Sequence, residues 1–257
     1  MSANKLIAAL IIVLALCGHS FAGEGGVWQV GVINALSVGV LEGDTTIGEL
    51  KTEGDTGIGT FNGLDGEMAV ADGIVYRIGS DGAAAPASDA MKTPFATATR
   101  FAPEMEAKLA KVESFTDMAD QLDKSLPTQN GIYAIRIDGR FDYLKVRSVP
   151  GQKRPYPTLN EVVKAQTVFT LENVEGTLVG FRFPAYLKNV NVPGWHMHFL
   201  TKDRKRGGHA LDLRAAGLGA KLAMARRHTV KMFYNADFNQ ADLAGAGEYS
   251  KSFAPDR

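Results

Sequence analysis

Two Asp-Gly pairs, each flanked by alternating apolar and polar residues, constrain the fold of this chain more than any other feature. Asp72-Gly73 lies in EMAVADGIVYRI (67–78), and Asp138-Gly139 lies in GIYAIRIDGRFDYLKVRSV (131–149). A type I′ turn needs positive φ at both central residues, and Asp-Gly adopts that conformation at little steric cost. The sequence therefore predicts two β-hairpins that turn at these dipeptides.

The remaining segments favour a β-rich chain with few helices. VWQVGVI (27–33) and GIGTF (57–61) have the composition of strands, and GSDGAAAPASDA (79–90) has that of a loop. Apolar residues recur at helical spacing in 102–126 and in 159–169, so a helix is expected in each. We therefore expect an α+β fold in which strands predominate.

A weak internal repeat indicates that the chain has two related halves. TIGEL and NGLDGEM in the first half match TLNEV and ENVEGTL in the second, at offsets of 112 and 110 residues. The identities are few, so chance similarity is the alternative. No Pro/Gly/Ser-rich linker separates the halves, about 23–126 and 127–257. We therefore expect two mixed or antiparallel sheet halves, with a helix in each, packed as one compact unit.

The first 22 residues have the pattern of a secretory signal peptide. Lys5 precedes the apolar run LIAALIIVLALC (6–17), and Ser20 and Ala22 are small residues at the −3 and −1 positions of a cleavage site. The run is shorter than the about 20 residues that span a bilayer. We predict cleavage after Ala22, a periplasmic or secreted protein, and no membrane attachment of the mature chain. An uncleaved anchor is the alternative.

The mature chain 23–257 is nearly neutral and lacks cysteine. The whole sequence has 28 basic and 28 acidic residues, and cleavage removes Lys5, which leaves a net charge of −1. Such a charge does not favour nucleic acid or an anionic membrane as a partner. Cleavage also removes Cys17, the only cysteine, which excludes disulfides and a cysteine nucleophile.

Three of the five histidines lie within fourteen residues, in GWHMHFLTKDRKRGGHALDL (194–213). On a strand, His196 and His198 would face the same side about 7 Å apart. His209 follows a basic connection and lies on the next predicted strand. Three neutral imidazoles with an open fourth position are typical of catalytic zinc, whereas structural zinc is usually enclosed by cysteines. The pattern therefore predicts a metal site, with ordinary surface or core histidines as the alternative.

The neighbours of these histidines are expected to pack rather than to bind metal. Met197 and Phe199 alternate with the candidate ligands and should face the core on the other side of the strand. Trp195 and Phe199 flank the ligands, so we expect them to shield the site from water. His228 follows two arginines and is predicted to lie on a solvated face.

Three blocks of the chain resemble the α-acetolactate decarboxylase family. They are GIGTFNGLDGEM (57–68), YLKVRSVPGQKRPYPTL (143–159) and RFPAYLKNVNVPGWHMHFLTKDRKRGGHALD (182–212), and the similarity extends from about Val27 to Asp242. The resemblance implies a zinc enzyme of two tightly packed β-rich parts, often a homodimer. It implies a carbon–carbon lyase of acetoin biosynthesis, which converts 2-acetolactate to (R)-acetoin and carbon dioxide.

The resemblance also assigns site residues by position. The family's zinc ligands match His196, His198 and His209. Its active-site glutamate matches Glu67 in LDGEM, and its active-site arginine matches Arg147 in LKVRSV. From the residues alone, an exposed strand position is the alternative for Glu67, and an outward-facing hairpin position is the alternative for Arg147.

Two further positions follow from the resemblance. Thr60 falls in the strand that lines the same pocket, and the family's second glutamate, near the C-terminus, is matched by Glu248. The tail after Leu243 departs from the family pattern. If Glu248 is not the match, a water molecule or Asp256 would have to take its place.

The chemistry of this reaction suits these residue types. Loss of carbon dioxide leaves two electrons on C2, and the C3 ketone is the only internal group that can accept them. Zn²⁺ chelated by the C2 hydroxyl and C3 carbonyl oxygens would stabilise the resulting enediolate, so no organic cofactor is required. Glu67 can deliver the proton if burial raises its pKa. Arg147 can hold the substrate carboxylate or orient the proton donor.

Other functions are compatible with a three-histidine centre. A zinc hydratase or hydrolase would activate water there, and a cupin-type oxygenase would prefer iron and usually adds a carboxylate ligand. The non-enzyme alternative is a periplasmic metal-binding protein. Such a protein has no need of Glu67 and Arg147, so the match at these positions favours the decarboxylase.

Overall fold

The computed structural model describes residues 25–244, in which strands far outnumber helices. This confirms the expected β-rich α+β fold. The predicted signal peptide with Cys17 lies outside the described residues, as do Glu248 and Asp256. Between residues 25 and 244, no helix is long and apolar enough to cross a membrane.

The described chain forms fifteen strands, five α-helices and two 3-10 turns. The strands are β1 (Gly26–Val30), β2 (Thr45–Thr46), β3 (Thr56–Thr60), β4 (Glu67–Ala71), β5 (Ile74–Ile78), β6 (Ala84–Pro86), β7 (Lys92–Thr93), β8 (Ala96–Thr99), β9 (Met105–Leu109), β10 (Ile132–Ser148), β11 (Thr167–Phe183), β12 (Gly194–Thr201), β13 (Gly207–Arg214), β14 (Leu218–Ala225) and β15 (Arg227–Lys231). The helices are α1 (Ile33–Ser37), α2 (Ile47–Glu53), α3 (Phe115–Ser125), α4 (Leu159–Lys164) and α5 (Ala236–Gln240), and the 3-10 turns are Asn62–Leu64 and Ala185–Leu187.

The strands form two large sheets and one small one. The first sheet has seven strands in the order β15-β1-β8-β3-β4-β5-β6, and only β1 and β15 run parallel in it. The second has six antiparallel strands in the order β11-β12-β13-β10-β14-β9. Because β11 also pairs with β10, four of these strands close into a ring. The strands β2 and β7 pair separately.

Each large sheet takes one strand from the other half of the chain. The strand β9 belongs to residues 23–126 but joins the second sheet, and β15 belongs to residues 127–257 but joins the first. A shared apolar cluster also links the sheets, with Ile58 and Ile78 from the first and Val179 and Phe181 from the second. The two sheets therefore pack as one unit, and the internal duplication stays a prediction.

The first Asp-Gly pair forms the predicted hairpin. Asp72 has a φ of 54° and Gly73 a φ of 75°, and the pair joins β4 to β5. Both central residues therefore adopt the positive φ that a type I′ turn requires.

The prediction of a hairpin at the second Asp-Gly pair is wrong. The strand β10 runs unbroken through Asp138 and Gly139, which lie opposite Thr177 and Gly176 of β11. Neither Asp138 nor Gly139 has a positive φ. The Asp138 carboxylate accepts hydrogen bonds from Arg136 and from the Thr177 hydroxyl. Tertiary pairing therefore outweighs the local turn preference.

Both predicted helices are shorter than expected. The segment 102–126 contains the strand β9 before α3, which begins after Ser114, whose hydroxyl accepts a hydrogen bond from Asp117 N–H. In β9, exposed and buried side chains alternate, so the period of two prevails there. The segment 159–169 forms α4 only as far as Lys164 and then enters β11. The predicted loop 79–90 includes the short strand β6.

The main apolar core lies against the ring of strands and is covered by α3. It contains buried side chains of α3, β10, β12 and β13, among them Met118, Phe141, Phe199 and Leu213. Because the side chains of β12 and β13 alternate, the opposite face of these strands points toward β4 of the first sheet. The candidate site lies at that junction.

Candidate active site

Three neighbouring strands bring three site residues into one row. His198 on β12 lies opposite His209 on β13, and His209 lies opposite Arg147 on β10. His196 is two residues from His198 and shares its face of the strand. All three imidazoles are buried. The spacing of the histidines in the sequence therefore corresponds to a real cluster.

A β-bulge in β13 sets the direction of His209. The register between β10 and β13 shifts so that Val146 faces Ala210 and Lys145 faces Asp212. The extra residue lets Ala210 and Leu213 both enter the main core although they are three positions apart. His209 is left on the opposite face, toward the other histidines.

The three imidazoles present their nitrogens to one another. His196 Nε2 lies 3.1 Å from His209 Nδ1 and 3.2 Å from His198 Nε2, and the third separation is 3.3 Å. Ligand nitrogens about 2.0–2.1 Å from a tetrahedral metal ion lie about 3.3–3.4 Å apart. The cluster therefore fits three corners of such a site and could hold a metal ion.

The protonation states also suit metal binding. His198 Nδ1–H donates to the Met68 carbonyl oxygen at 2.6 Å, which leaves the Nε2 lone pair directed at the other imidazoles. Burial lowers the pKa of His198 to about 3. Burial also holds the pKa of His196 and of His209 well below the usual value, and the Arg147 cation lowers both further. All three are therefore neutral at pH 7, as metal ligands must be.

Glu67 and Arg147 complete the cluster. Glu67 Oε2 lies 3.4 Å from His198 Nε2, and Glu67 Oε1 lies 3.7 Å from Arg147 Nη1. The relative exposure is only 6 % for Glu67 and 1 % for Arg147. Neither side chain therefore points into solvent, as it would at an exposed strand or hairpin position. Burial raises the pKa of Glu67 to about 7, although the Arg147 cation lowers it. A substantial fraction of Glu67 therefore carries a proton at neutral pH.

Thr60 lines the pocket, but its hydroxyl is hydrogen-bonded to the backbone. It lies opposite Glu67 in the β3–β4 pair. Its hydroxyl donates to the Gly66 carbonyl oxygen at 2.7 Å. Thr60 therefore supports the turn from which Glu67 enters β4.

Apolar side chains form the walls of the pocket above these polar groups. They come from α1, α4 and the loops that follow β3, β7 and β10: Ile33, Leu36, Leu64, Phe95, Val149 and Leu159. None of these residues is predicted as part of the site from the sequence. They belong to one apolar cluster that is formed by segments far apart in the chain. Helix α1 spans only five residues, too few to show a helical period.

Two sequence predictions near the histidines are corrected by the structure. Met197 and Phe199 face the main core as expected, but Trp195 and Phe199 do not surround the ligands. Trp195 belongs to the same core, and its indole N–H donates to Asp123 at 2.9 Å. The apolar walls shield the site instead. His228 is half-buried rather than solvated, because its Nε2 donates to Gln29 Oε1 at 2.9 Å.

The fold and the site together define a β-rich protein with a buried cluster of three histidines that could hold a metal ion. The sequence model of the family described as alpha-acetolactate decarboxylase matches residues 27–245. The chain therefore belongs to the α-acetolactate decarboxylase family. The match covers every described site residue, from Thr60 to His209.

Similar proteins agree with this assignment. The alpha-acetolactate decarboxylase of Methanosarcina mazei is 47% identical over 84% of this chain and 75% of its own length. The Bacillus subtilis enzyme is 38% identical over 84% of this chain and 85% of its own. A crystal structure of alpha-acetolactate decarboxylase from Bacillus subtilis covers 90% of this chain and all of its own, with 36% identity and a TM-score of 0.86.

Proposed function

We propose that this enzyme catalyses the zinc-dependent decarboxylation of 2-acetolactate to (R)-acetoin and carbon dioxide. The observation that carries the proposal is the convergence of Glu67, Arg147 and three neutral imidazoles at the base of one apolar-walled pocket. A protein that only stores metal has no use for a buried carboxyl and guanidinium beside the ligands. The substrate is inferred from the family, whose members are described as alpha-acetolactate decarboxylases.

Zinc is the metal that this donor set favours. Three imidazole nitrogens with an open fourth position are typical of catalytic zinc, whereas Mg²⁺ and Ca²⁺ prefer oxygen ligands. Bound zinc would supply a Lewis acid for the substrate oxygens. The identity of the metal rests on this ligand chemistry.

Arg147 is suited to bind the carboxylate that leaves as carbon dioxide. Its side chain is almost fully buried on β10, next to His209. A guanidinium can bind a carboxylate through two parallel hydrogen bonds, which are stronger in a site that excludes water. This contact would orient the C1–C2 bond for cleavage.

Glu67 is suited to donate the proton that completes the reaction. When C1–C2 breaks, its electron pair moves toward the C3 ketone and gives an enediolate, which must then be protonated at C2. Because the pKa of Glu67 is raised to about 7, its carboxyl can hold that proton at neutral pH. A donor fixed on one side of a planar intermediate makes one enantiomer of acetoin. The R hand follows from the family alone.

Glu248 is proposed as a second carboxyl group of the site. It lies outside the described residues, five positions after Leu243. The Leu243 carbonyl oxygen accepts a hydrogen bond from Asn34 of α1 at 3.3 Å, and α1 lines the pocket. Glu248 is five residues, at most about 17 Å of extended chain, from this contact with α1.

We also propose that the enzyme is exported and forms a homodimer. The proposal of export rests on Lys5, the apolar run 6–17 and the small residues Ser20 and Ala22. An N-terminal sequence that begins at Gly23 in the periplasm or medium would support it. The proposal of a dimer rests on the family resemblance, and sedimentation of the purified protein tests it.

Incubation of the mature protein with racemic 2-acetolactate tests the proposed reaction. We expect carbon dioxide and largely one enantiomer of acetoin, without thiamine, flavin or nicotinamide. A chelator should abolish the reaction, and zinc should restore it. Racemic acetoin formed no faster than in buffer would contradict the proposal. A zinc hydratase or hydrolase would then be tested with carbon dioxide and ester substrates.

A further inference from the structure

Two buried amides, Gln29 and Asn191, form a polar network away from the reacting groups. Asn191 lies in the segment that leads into β12, and its Nδ2 donates to Gln29 Oε1 at 2.8 Å and to Thr97 Oγ1 at 3.0 Å. Its Oδ1 accepts from the Val192 N–H at 2.7 Å. The relative exposure is 0 % for Gln29 and 3 % for Asn191. Buried amides are costly unless hydrogen-bonded, so these contacts define the local geometry.

Gln29 holds the same segment from the other side. Its Nε2 donates to the Val190 carbonyl oxygen at 2.8 Å and to the Gly31 carbonyl oxygen at 2.7 Å. The two amides therefore fix the backbone both before and after Asn191. Gln29 lies on β1, directly opposite Thr97 on β8, so both partners of Asn191 are part of the first sheet.

The network is connected to the wall of the pocket. The Val190 carbonyl oxygen also accepts from the backbone N–H of Ile33, at 3.1 Å. Ile33 lines the pocket, and Val192 packs in the same apolar cluster as Phe95 and Leu159. The segment then enters β12, which carries His196 and His198. One network thus ties a pocket wall to the strand that carries two metal ligands.

We propose that Gln29 and Asn191 are positioning residues, which set the distance between the apolar wall at Ile33 and the metal-ligand strand. This inference rests on the proposed decarboxylation, since it concerns how the substrate is held. The two amides do not reach the reacting atoms. They act by fixing Ile33 and Val192, so that the substrate can bind in one orientation beside Glu67 and Arg147.

Kinetics of the Asn191→Ala and Gln29→Ala variants of the zinc-loaded enzyme test the proposal. We expect each variant to keep one zinc per chain and a nearly unchanged kcat, and to raise KM on the order of tenfold because the substrate is misplaced. The double variant should raise KM by less than the product of the single effects, since the residues act as one unit. The enantiomeric excess of acetoin should fall in all three.

Tyr133→Phe is the matched control for a purely structural role. It removes a buried hydroxyl that donates to the Thr128 carbonyl oxygen at 2.8 Å, in the main core at the far end of β10 from Arg147. We expect it to lower Tm and to leave KM unchanged. Asn191→Ala and Gln29→Ala variants that lower Tm in the same way, with an unchanged KM, would overturn the proposal.

Two further measurements keep the test decisive if a variant does not fold or the reaction is absent. Thr97→Val removes one partner of Asn191 without changing side-chain size, and we expect a smaller rise in KM; an unchanged KM counts against the proposal.

Calorimetry with 2,3-dihydroxy-2-methylbutanoate, the substrate with its ketone reduced, needs no turnover. Asn191→Ala should weaken its binding on the order of tenfold. Equal affinity in wild type and variant would overturn the inference, whereas a wild type without acetoin formation would contradict only the proposed function.

Discussion

The two faces of β12 are equally buried but contribute to the protein in opposite ways. One face places Met197 and Phe199 in the main core, where the Phe199 ring meets Phe141 edge to face at 5.5 Å. The other face places His196 and His198 in the candidate site. Burial of the apolar face stabilises the fold. Burial of the polar face costs free energy, because imidazole nitrogens leave water there.

Because of this difference, we expect the site face, unlike the core face, to be stabilised by a bound metal ion. Glu67 is buried against His198, and its pKa is raised because a charged carboxylate is disfavoured there. A bound cation would compensate for these buried polar groups, and its binding energy would add to folding stability. The two faces should therefore respond differently to substitution: the apolar one in stability and the polar one in metal content and turnover.

The largest expected effect is that of His209→Ala. The variant removes one of three ligands, so we expect loss of zinc and of turnover while the metal-free fold is retained. Metal analysis and circular dichroism of the purified variant measure both. Full zinc occupancy in this variant would remove His209 from the ligand set.

Glu67→Gln should reduce turnover by about 10²- to 10⁴-fold, because an amide cannot supply the proton. In the zinc-loaded protein, zinc content and Tm should remain close to those of the wild type, since the amide has nearly the same size and the bound cation compensates for the buried carboxylate. Steady-state kinetics on zinc-loaded protein provide the measurement. Near-normal turnover would exclude Glu67 as the proton donor.

Phe199→Ala tests the opposite face of the same strand. It leaves a cavity beside Phe141 and should lower the free energy of unfolding by about 3–5 kcal/mol. The fraction that remains folded at low temperature should keep zinc and its kcat per metal. Chemical denaturation combined with metal analysis tests this, and a stable variant with impaired zinc binding would show that the two faces are not separate.

The pH dependence of stability gives a smaller effect. Because the pKa of Glu67 is raised from 4.5 to about 7, the folded metal-free protein binds more protons than the unfolded chain between these values. The contribution of Glu67 to the free energy of unfolding should therefore fall by up to about 3 kcal/mol as pH rises from 4.5 to 7. The neutral histidines contribute the opposite slope, which Glu67→Gln leaves in place. Denaturation curves with the same pH slope in both proteins would contradict the burial cost at Glu67.

His228→Ala should have the smallest effect. It removes the hydrogen bond to Gln29 and the ring contact with Phe183 at 5.4 Å, but Gln29 keeps its two donor hydrogen bonds. We expect about 1 kcal/mol lower stability and nearly normal turnover. A variant without turnover would place His228 in the site.

The sequence predicts the cluster of three histidines well because these residues are close in the chain. His196 and His198 share a face through the period of a strand, and His209 follows on the next strand. Glu67 and Arg147 were located only by the family resemblance. In the fold they meet the histidines through pairings between β10, β12 and β13 and through contact with β4, which no local pattern encodes.

The errors have a common physical cause. Asp138-Gly139 has the local preference for a turn, yet β10 continues because β11 pairs along its whole length. The segment 102–126 has helical spacing, yet its first part forms β9 because β14 offers an edge. The pocket walls were missed for the same reason, since Ile33, Phe95 and Leu159 meet only after folding. Long-range pairing decides each of these cases.

Titration of the metal-free enzyme with zinc tests the central claim most directly. We predict that acetoin formation from 2-acetolactate is absent without metal, rises linearly with added zinc and levels off at one equivalent per chain. The same titration should raise Tm over the same range. Full turnover in chelator-treated, metal-free protein would contradict the account, as would a plateau of zinc binding that leaves acetoin formation at the rate in buffer.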